Sequence, residues 1–365
     1  MNTRAAGFDV RNEQMSLFGS AETIARPPTT RYQGSKLKLL PWLWENLRPL
    51  AFHTALDAFA GTGCVSYMLK SKDKQVTYND YLRFNQLIGV ALIENSHARL
   101  TAKDTGILLT RHRGVHYDDF IARTFADIFF TDEENIWLDM VCQNIPLLED
   151  RLKRALAYYA LFQSCIIKRP YNLFHRKNLY MRTSEVQRSF GNKATWDTPF
   201  EVHYLNFVEE ANAAIFDSGV ACKALCGDAG DVPGQYDLVY IDPPYVSGSG
   251  VGVDYLDFYH FLEGIVDYDS WRERIDRRKK HLPLLGRRSP WSDPRRTRDA
   301  FYQLLERYAN STIVISYRSD GIPSEPELVA LVRQFKKHVR LSHYGEYKYV
   351  LSKNGTSKEI LLIGI

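Results

Sequence analysis

The sequence predicts an α/β protein with a central β-sheet whose first strands are parallel. A short apolar run at Thr54–Phe59 indicates a buried strand, and it ends in the glycine-containing turn Ala60–Gly63. A helical stretch, Val65–Lys70, follows the turn, and a second strand at Gln75–Asn79 ends at Asp80. This order of strand, turn, helix and strand begins a βαβ unit, in which both strands run in the same direction.

Four further apolar segments have the length and composition of strands: Tyr236–Ile241, Ser311–Ser316, Arg340–Val350 and Glu359–Ile365. The turn residues Lys353-Asn354-Gly355 separate the last two, which predicts a C-terminal β-hairpin. The strand pattern is absent at 101–221, which predicts a mainly helical insertion. Residues 1–28 are polar and end in Arg-Pro-Pro, so we expect a flexible tail there.

The composition excludes several classes of protein. The chain has 365 residues, of which 45% are hydrophobic and 25% are charged, so it can bury a large core and is not a disordered chain. It has no apolar run of about 18 residues, the length of a membrane span, and its N-terminal segment lacks the apolar part of a secretory signal. The five cysteines form no CxxC pair, and no cluster has the spacing of metal ligands. We therefore expect a reducing compartment and no metal.

The net charge of +4 is too small to indicate a polyanionic partner by itself, but the charge is unevenly distributed. Residues 117–150 carry nine acidic side chains and one Arg. The first basic segment, 168–193, carries seven Lys or Arg and one Glu, and the second basic segment, 272–298, carries eleven Lys or Arg and three acids. A nucleic-acid-binding protein would turn the basic segments toward its ligand, and the alternative is that they are ordinary solvated surfaces.

The turn after the first predicted strand has the features of a nucleoside site. Gly61 and Gly63 let the backbone turn sharply and approach a ligand closely, and Asp57 precedes them. Asp80 ends the next strand, the position that accepts ribose hydroxyls in nucleotide-binding folds. Ser66 replaces the third glycine that a dinucleotide pyrophosphate needs, which disfavours a NAD-dependent dehydrogenase. The alternative is a tight turn followed by a surface aspartate.

The segment Asp242-Pro243-Pro244-Tyr245 follows an apolar strand, at the end where ligands bind in α/β sheets. The prolines lack backbone donors and fix the chain, so the carbonyl oxygens are rigid acceptors. With the carboxylate and the tyrosine ring, they suit a planar group that carries an NH2 donor. The alternative is a turn that merely ends the strand. The glycine-rich segment that follows, 246–252, is expected to be either a lid or a plain flexible loop.

Five motifs occur in the order of one known family: Arg31-Tyr32-Gln33-Gly34-Ser35-Lys36, Asp57–Gly63, Asn79-Asp80, Cys226–Ala229 and Asp242–Tyr245. With this order the chain resembles the D12-class, or alpha-group, DNA adenine-N6 methyltransferases, to which the Dam-like enzymes belong. The resemblance covers nearly the whole chain from residue 30 onward. It implies a Rossmann-like sheet that binds S-adenosylmethionine (SAM), formed by residues 29–100 and 222–365, and a target-recognition region inserted at 101–221.

The resemblance implies that SAM contacts eight residues: Tyr32, Lys36, Asp57, Gly61, Gly63, Asp80, Asp228 and Asp242. Lys36 would pair with the methionine carboxylate, and the ring of Tyr32, where Dam-like enzymes are expected to carry Trp, would pack on the cofactor. Asp57 would lie near the methionine end, and the two glycines would give access to the backbone. Asp80 would hold the ribose hydroxyls, and Asp228 would accept a hydrogen bond from the adenine amine.

The resemblance also implies catalysis by Asp242, Pro243, Pro244 and Tyr245. The target adenine would leave the duplex, because its N6 cannot be reached in the stack. Asp242 and the Pro243 carbonyl would accept the two N6 hydrogens, and Tyr245 would stack on the base. The product of the cofactor would be S-adenosylhomocysteine. Two alternatives are methylation of adenine in RNA and a non-catalytic DNA-binding subunit that retains the fold.

Double-stranded DNA is the expected partner, and nine cations are the expected contacts to it: Lys168, Arg169, Arg176, Lys177, Arg182, Arg277, Arg278, Lys279 and Lys280. A cognate restriction endonuclease is a further expected partner if the enzyme belongs to a restriction–modification system rather than acting as an orphan methylase. Gln14–Phe18 resembles the motif with which bacterial replication proteins dock on the sliding clamp, and the alternative is a chance match. The expected location is cytoplasmic, at the nucleoid, in a bacterial or phage context.

Overall fold

The computed structural model describes residues 27–185, 193–286, 289–346 and 357–365. Its strands are β1 (Thr54–Asp57), β2 (Gln75–Asp80), β3 (Lys223–Cys226), β4 (Leu238–Ile241), β5 (Thr312–Arg318), β6 (Val339–Glu346) and β7 (Lys358–Gly364). In the described part of the chain they form one seven-stranded sheet in the order β3-β2-β1-β4-β5-β7-β6. The strands β1 to β5 pair in parallel, and β7 lies antiparallel between β5 and β6.

The helices are α1 (Leu40–Leu47), α2 (Cys64–Lys70), α3 (Arg83–Gly89), α4 (Ala102–Leu109), α5 (Phe120–Thr124), α6 (Asp132–Asn144), α7 (Arg151–Ile167), α8 (Tyr180–Thr183), α9 (Lys193–Asp197), α10 (Phe200–Ala214), α11 (Tyr255–Val266), α12 (Thr297–Arg307) and α13 (Glu325–Val332). Helix α3 continues in a π-helical turn, Val90–Glu94. Side chains cap several helices, because the first backbone N–H groups of a helix lack partners within it. Thr131 and Glu134 form a capping box on α6, for example, and Asp150 accepts from two backbone N–H groups of α7.

The α/β fold expected from the sequence is confirmed. The predicted βαβ unit corresponds to β1, α2 and β2, and the two last predicted strands pair antiparallel as β6 and β7. The strand expected from Tyr236 begins two residues later, at Leu238, because Asp237 instead accepts the backbone N–H groups of His53 and Thr54. Residues 1–26 of the expected tail, the clamp-like segment Gln14–Phe18 and the expected turn at 353–355 lie outside the described residues, whereas Pro27 and Pro28 are described and are buried.

The insertion between β2 and β3 is helical in its described residues, as expected, and contains α4 to α10. Helix α7 is its centre: Ala155–Leu161 and their neighbours are mostly buried, and the helix packs against α3 and α10. One hydrophobic core extends from the sheet into the insertion and includes both Tyr240 of β4 and Phe162 of α7. No helix among the described residues is long and apolar enough to span a bilayer.

The direction of the strands determines where the polar motifs meet. The carboxyl ends of β1, β2 and β4 lie side by side, because these strands are neighbours and parallel. Asp57 and Asp80 are the last residues of β1 and β2, and Asp242 follows directly after β4. All four residues of β4 are buried, as is typical of a central parallel strand covered on both faces. The three aspartates are therefore placed at one edge of the sheet.

Candidate active site

A cavity of about 960 Å³ opens at this edge of the sheet. Its lining includes all the predicted catalytic residues and all the predicted cofactor residues except Gly63: Tyr32, Lys36, Asp57, Gly61, Asp80, Asp228, Asp242, Pro243, Pro244 and Tyr245. Motifs that are far apart in the sequence thus meet in one space. A concave, partly polar cavity that gathers several buried acids has the properties of a binding site for a small polar molecule.

The loop after β1 is held by Asp80. One oxygen of this carboxylate accepts the backbone N–H of Gly61 at 2.9 Å, and the other accepts the N–H of Leu82 at 2.8 Å and the amide of Asn85 at 3.1 Å. A carboxylate has about four lone-pair sites and three are used here, so Asp80 retains capacity for one further donor, such as a ligand hydroxyl. Gly63 does not line the cavity, contrary to expectation. Its φ of +72°, directly before α2, accounts for a glycine at that position.

Asp57 is 1% exposed and lies at the inner end of the cavity. Ser66, which occupies the place of a third glycine, donates a 2.7 Å hydrogen bond to Asp57 Oδ2. Within the described residues, Asp57 Oδ1 is buried and has no hydrogen-bond partner. Burial raises the pKa of Asp57 to about 7, although the bond from Ser66 lowers it. Because Asp57 lines the cavity, its Oδ1 can accept a hydrogen bond from a donor on a ligand.

Asp242 belongs to a compact polar cluster with Lys36, Tyr245 and Glu359. The ammonium of Lys36 lies 2.9 Å from Asp242 Oδ1 and 3.4 Å from Glu359 Oε1, and it also donates to the hydroxyl of Tyr245. That hydroxyl is 3.0 Å from Asp242 Oδ1 and 2.9 Å from Glu359 Oε1. Burial raises the pKa of Asp242, and Lys36 acts in the opposite direction. The ring of Tyr245 packs edge-on against Tyr317, so its orientation is fixed at both ends.

The position of Lys36 differs from the role expected for it. Its side chain is 6% exposed, and its ammonium faces two protein carboxylates rather than open space. Burial lowers the pKa of Lys36, but Asp242 and Glu359 outweigh this and raise it above its ordinary value, so the ammonium stays charged. Pairing of Lys36 with a cofactor carboxylate stays a prediction, whereas its contact with Asp242 is a feature of the fold.

Aromatic rings form two walls of the cavity. On one side, Tyr32 stacks on Tyr259 at 4.4 Å between ring centroids and on Tyr255 at 5.6 Å, so the N-terminal motif rests on α11. On the other side, Phe59 meets Trp291 edge-on at 4.7 Å. The carboxylate of Asp228, on the rim, accepts the N–H of Gly230 at 2.9 Å and lines the same space.

The glycine-rich segment 246–252 forms a hydrogen-bonded turn over the cavity. Val246 and Gly252 pair as an antiparallel bridge, and Ser247 pairs with Gly321. A Cβ on Gly252 would lie 1.9 Å from the carbonyl oxygen of Ser292, so the turn packs closely on the segment that carries Trp291. Movement of this turn as a lid stays a prediction.

Three of the expected DNA contacts are wrong. Lys168 and Arg169 are each 1% exposed and Arg182 is 6% exposed, so none can reach a phosphate. Lys168 and Arg182 both pair with Glu134, at 2.7 Å and 2.6 Å, and Lys168 also donates to the carbonyl oxygen of Trp196. The physical reason is position: these cations follow or pack beside the buried end of α7 and must find acceptors inside the protein.

Arg169 shows the same internal role most fully. Its guanidinium donates to the carbonyl oxygens of Phe129, Leu173 and Arg176 and to the side chain of Asn178. Its charge also lies 4.5 Å from the ring centroid of Phe129. Burial lowers the pKa of Arg169 well below its ordinary value. The residue closes the loop 169–178 on the core rather than presenting it to a ligand.

The other six expected DNA contacts are exposed: Arg176, Lys177, Arg277, Arg278, Lys279 and Lys280. The last four lie at the tip of a loop that the backbone bonds of Asp276 to Pro283 and of Leu285 to Arg274 close. The two basic segments meet beside α11, because His260 donates to the carbonyl of Phe174 at 3.0 Å and contacts the ring of His281 at 5.6 Å. Contact of these six side chains with DNA stays a prediction.

Sequence reasoning missed several residues that shape the cavity. The sequence around Glu359 does not indicate a functional role, because a charged residue at the start of an apolar strand is ordinary. Ser66 was noted only as a missing glycine, although its hydrogen bond fixes Asp57. The stacking partners of Tyr32 lie on α11, and their spacing of four residues places them on one face of that helix. That spacing was a usable signal, but only once Tyr32 was known to face α11.

Comparison with known proteins agrees with the motifs. The D12 class N6 adenine-specific DNA methyltransferase family matches residues 32–274. Type II methyltransferase M2.HphI of Haemophilus parahaemolyticus is 27% identical over 344 residues, which cover 92% of this chain and 96% of the relative. Type II methyltransferase M.FokI of Planomicrobium okeanokoites is 27% identical over 87% of this chain and 48% of its own length. Type II methyltransferase M.NlaIII of Neisseria lactamica is 24% identical, with 90% and 95% covered.

Proposed function

Because the chain belongs to the D12 class N6 adenine-specific DNA methyltransferases, we propose that its cavity is the place where the methyl group of SAM is transferred to adenine N6. The observation that carries this proposal is the convergence of Asp57, Asp80 and Asp242 at the carboxyl ends of three neighbouring strands. The family match supports the reaction, and this convergence supports the location that we propose for it.

The residues of the cavity fit SAM. Asp57 Oδ1, which is buried and has no partner among the described residues, would accept from the ammonium of the methionine part. Asp80 would accept a ribose hydroxyl with its remaining lone-pair site, and Asp228 would accept from the adenine amine. The Phe59–Trp291 wall and the ring of Tyr32 supply apolar surface on two sides. When bound, SAM supplies a methyl group on a positively charged sulfur.

The catalytic role that we infer for the protein is to hold the adenine amine. Asp242 and the carbonyl oxygen of Pro243 would accept its two hydrogens, which leaves the nitrogen lone pair free to face the methyl donor. Tyr245 would stack on the base, a contact worth about 1–3 kcal/mol. The cluster around Asp242 fixes these groups before the substrate arrives, so little reorganisation is needed during the reaction.

For DNA, we infer that the exposed cations contact phosphates. Arg176 and Lys177 follow His175, whose ring contacts Phe258, a residue of α11 that lines the cavity. The loop tip 277–280 precedes His281, whose ring contacts His260 of the same helix. Double-stranded DNA bound there would place an extruded adenine close to Asp242. Readout of the target sequence would then belong to the insertion at 101–221.

The biological setting that we propose is the modification arm of a restriction–modification system. It is supported by relatives whose names describe them as Type II methyltransferases and by one named modification methylase StsI, of Streptococcus sanguinis. A cognate endonuclease would be the partner in this setting. A cytoplasmic location follows from the substrate.

The test is methylation of DNA by the purified chain and by two variants, Asp242→Asn and Asp231→Asn. Asp231 is an exposed acid outside the cavity and serves as the matched control. We expect N6-methyladenine in one sequence context with wild type and Asp231→Asn, mapped by modification-sensitive long-read sequencing. We expect a loss of at least about 100-fold in methylation with Asp242→Asn.

Three results would contradict the proposal. Full activity of Asp242→Asn would remove the catalytic role of this side chain. Methylation of RNA in preference to DNA, with the same variants and conditions, would change the substrate. SAM binding without turnover on any DNA would return the interpretation to a non-catalytic subunit.

A further inference from the structure

Glu359 is a buried carboxylate that lies outside every motif considered above. It is 0% exposed and stands near the start of β7, directly before the apolar run Ile360–Ile363. A buried charge costs several kcal/mol unless other groups compensate it. The partners of Glu359 therefore indicate why a charged side chain is tolerated there.

Those partners connect the C-terminal hairpin to the catalytic cluster. Ser316, on the neighbouring strand β5, donates to Glu359 Oε1 at 2.6 Å. The same oxygen lies 2.9 Å from the hydroxyl of Tyr245 and 3.4 Å from the ammonium of Lys36. Both of these groups also contact Asp242 Oδ1. Glu359 therefore contacts Lys36 and Tyr245, the two side chains that also contact Asp242, the proposed acceptor of the adenine amine.

We propose that Glu359 is a positioning residue for methyl transfer, which holds the hydroxyl end of Tyr245 and shares Lys36 with Asp242. This inference rests on the catalytic roles proposed above for Asp242 and Tyr245. It adds to the site a residue near the end of the chain, 114 positions after Tyr245 in the sequence.

The charge balance explains the need for a second acid. If Lys36 faced Asp242 alone, a single close ion pair would neutralise the carboxylate and weaken it as an acceptor for the adenine amine. Glu359 also interacts with Lys36, so that Lys36 does not neutralise Asp242 alone. Lys36, Asp242 and Glu359 together carry one net negative charge when all three are ionised. The hydrogen bond at the far end of Tyr245 also fixes the plane of its ring, because a hydroxyl held between two carboxylates cannot swing away.

The same cluster determines how Asp242 responds to pH. Burial raises the pKa of Asp242, Lys36 lowers it and the charge of Glu359 raises it. Asp57 on β1 and Tyr240 on β4 also interact with Asp242, and Tyr240 interacts with Glu359 as well. Removal of the charge of Glu359 is therefore expected to lower the pKa of Asp242 and to extend its ionised range toward lower pH.

The experiment compares full-length wild type, Glu359→Gln and Glu359→Asp in single-turnover methylation of DNA from pH 5 to pH 8. Gln keeps the shape and removes the charge, whereas Asp keeps the charge and withdraws it from Tyr245. We expect both variants to lose about tenfold in rate on their plateau. We expect the acid limb of the profile to move to lower pH in Glu359→Gln alone.

Glu263→Gln is the matched control. Glu263 is another buried glutamate, which accepts the N–H groups of Arg83 and Phe84, and it lies outside the catalytic cluster. It should leave the acid limb in place. If Glu359→Gln does not fold, Ser316→Ala tests the same contact more gently, and a rate loss of about threefold is then expected.

The inference is overturned if Glu359→Gln has the same acid limb and the same plateau rate as wild type. Where Ser316→Ala replaces that variant, an unchanged rate overturns it. Asp242→Asn, measured alongside, separates this failure from failure of the proposed function. If Asp242→Asn is inactive and Glu359→Gln behaves as wild type, only the role of Glu359 is lost. If Asp242→Asn is active, the catalytic assignment itself is lost.

Discussion

The two basic segments of the chain have similar compositions, but the first buries some of its cations whereas the four consecutive cations of the second are exposed. In the first segment, 168–193, the cations Lys168, Arg169 and Arg182 are buried and hold loops to the core. In the second segment, 272–298, the four consecutive cations at 277–280 are exposed at a loop tip. Charge composition therefore predicts neither burial nor function; the apolar context of each cation does.

The context differs in a way that the sequence contains. Lys168 and Arg169 directly follow the buried helix α7, and Phe129, Phe130 and Phe174 surround the guanidinium of Arg169. The acidic part of the insertion supplies their counter-charge, since Glu134 pairs with Lys168 and Arg182. Glu134 of the acidic part therefore pairs with Lys168 and Arg182 of the basic part inside the protein.

Neutralising Glu134 is the most severe test of this comparison. Glu134→Gln leaves two buried cations without their common partner, and we expect the free energy of unfolding to fall by about 3–5 kcal/mol. Gln can still complete the capping box with Thr131, so the loss measures charge rather than helix capping. Denaturant unfolding gives the value.

Glu133→Gln is the control, because Glu133 is the exposed neighbour on the same helix and its loss should leave stability unchanged. Equal stability of the two variants would mean that the buried cations need no counter-charge, and the contrast between the two basic segments would then lose its energetic basis.

Asp57 is a buried acid that can be compared with the buried cations of the first basic segment. It is as buried as Lys168, but one of its oxygens has no partner among the described residues. Burial raises its pKa to about 7, above the value of an unfolded chain. Between the ordinary pKa of an aspartate, 3.8, and pH 7, the folded protein without ligand therefore binds more protons than the unfolded chain. Its stability falls as the pH rises across this range and toward 7.

The consequence is a pH-dependent affinity for SAM. A cationic ligand group needs the ionised carboxylate, so affinity should weaken by up to about tenfold for each pH unit below the pKa of Asp57. Isothermal titration at several pH values measures it. Asp57→Asn serves as the reference, because titration of the cofactor's own amine affects both proteins and cancels in their ratio. A ratio that does not change with pH would show that Asp57 does not meet a cation.

The sequence predicted the part of the molecule that depends on local order. Strand ends are marked by Gly, Asp and Pro, so Asp57, Asp80 and Asp242 are each predicted at a strand end where ligands bind, and the family resemblance implies that all three contact SAM. Contacts that depend on how distant elements pack were not predictable. Glu359 reaches Tyr245 only because β7 lies antiparallel beside β5, and Arg169 is buried only because α7 ends inside the core.

The smallest expected effect concerns the exposed segment. Lys280→Ala should weaken binding of double-stranded DNA by about threefold at moderate salt, because one phosphate contact is lost among several. It should also reduce the slope of log affinity against log salt concentration by about one. Fluorescence anisotropy at several salt concentrations measures both quantities.

Lys337→Ala tests whether position matters. Lys337 is also exposed, but it precedes β6 at the opposite edge of the sheet from the cavity, because β6 runs in the same direction as β5. Its loss should leave the slope unchanged. Equal slopes for the two variants would mean that the loop tip contacts no phosphate, and exposure of a cation would then predict function no better than its charge did.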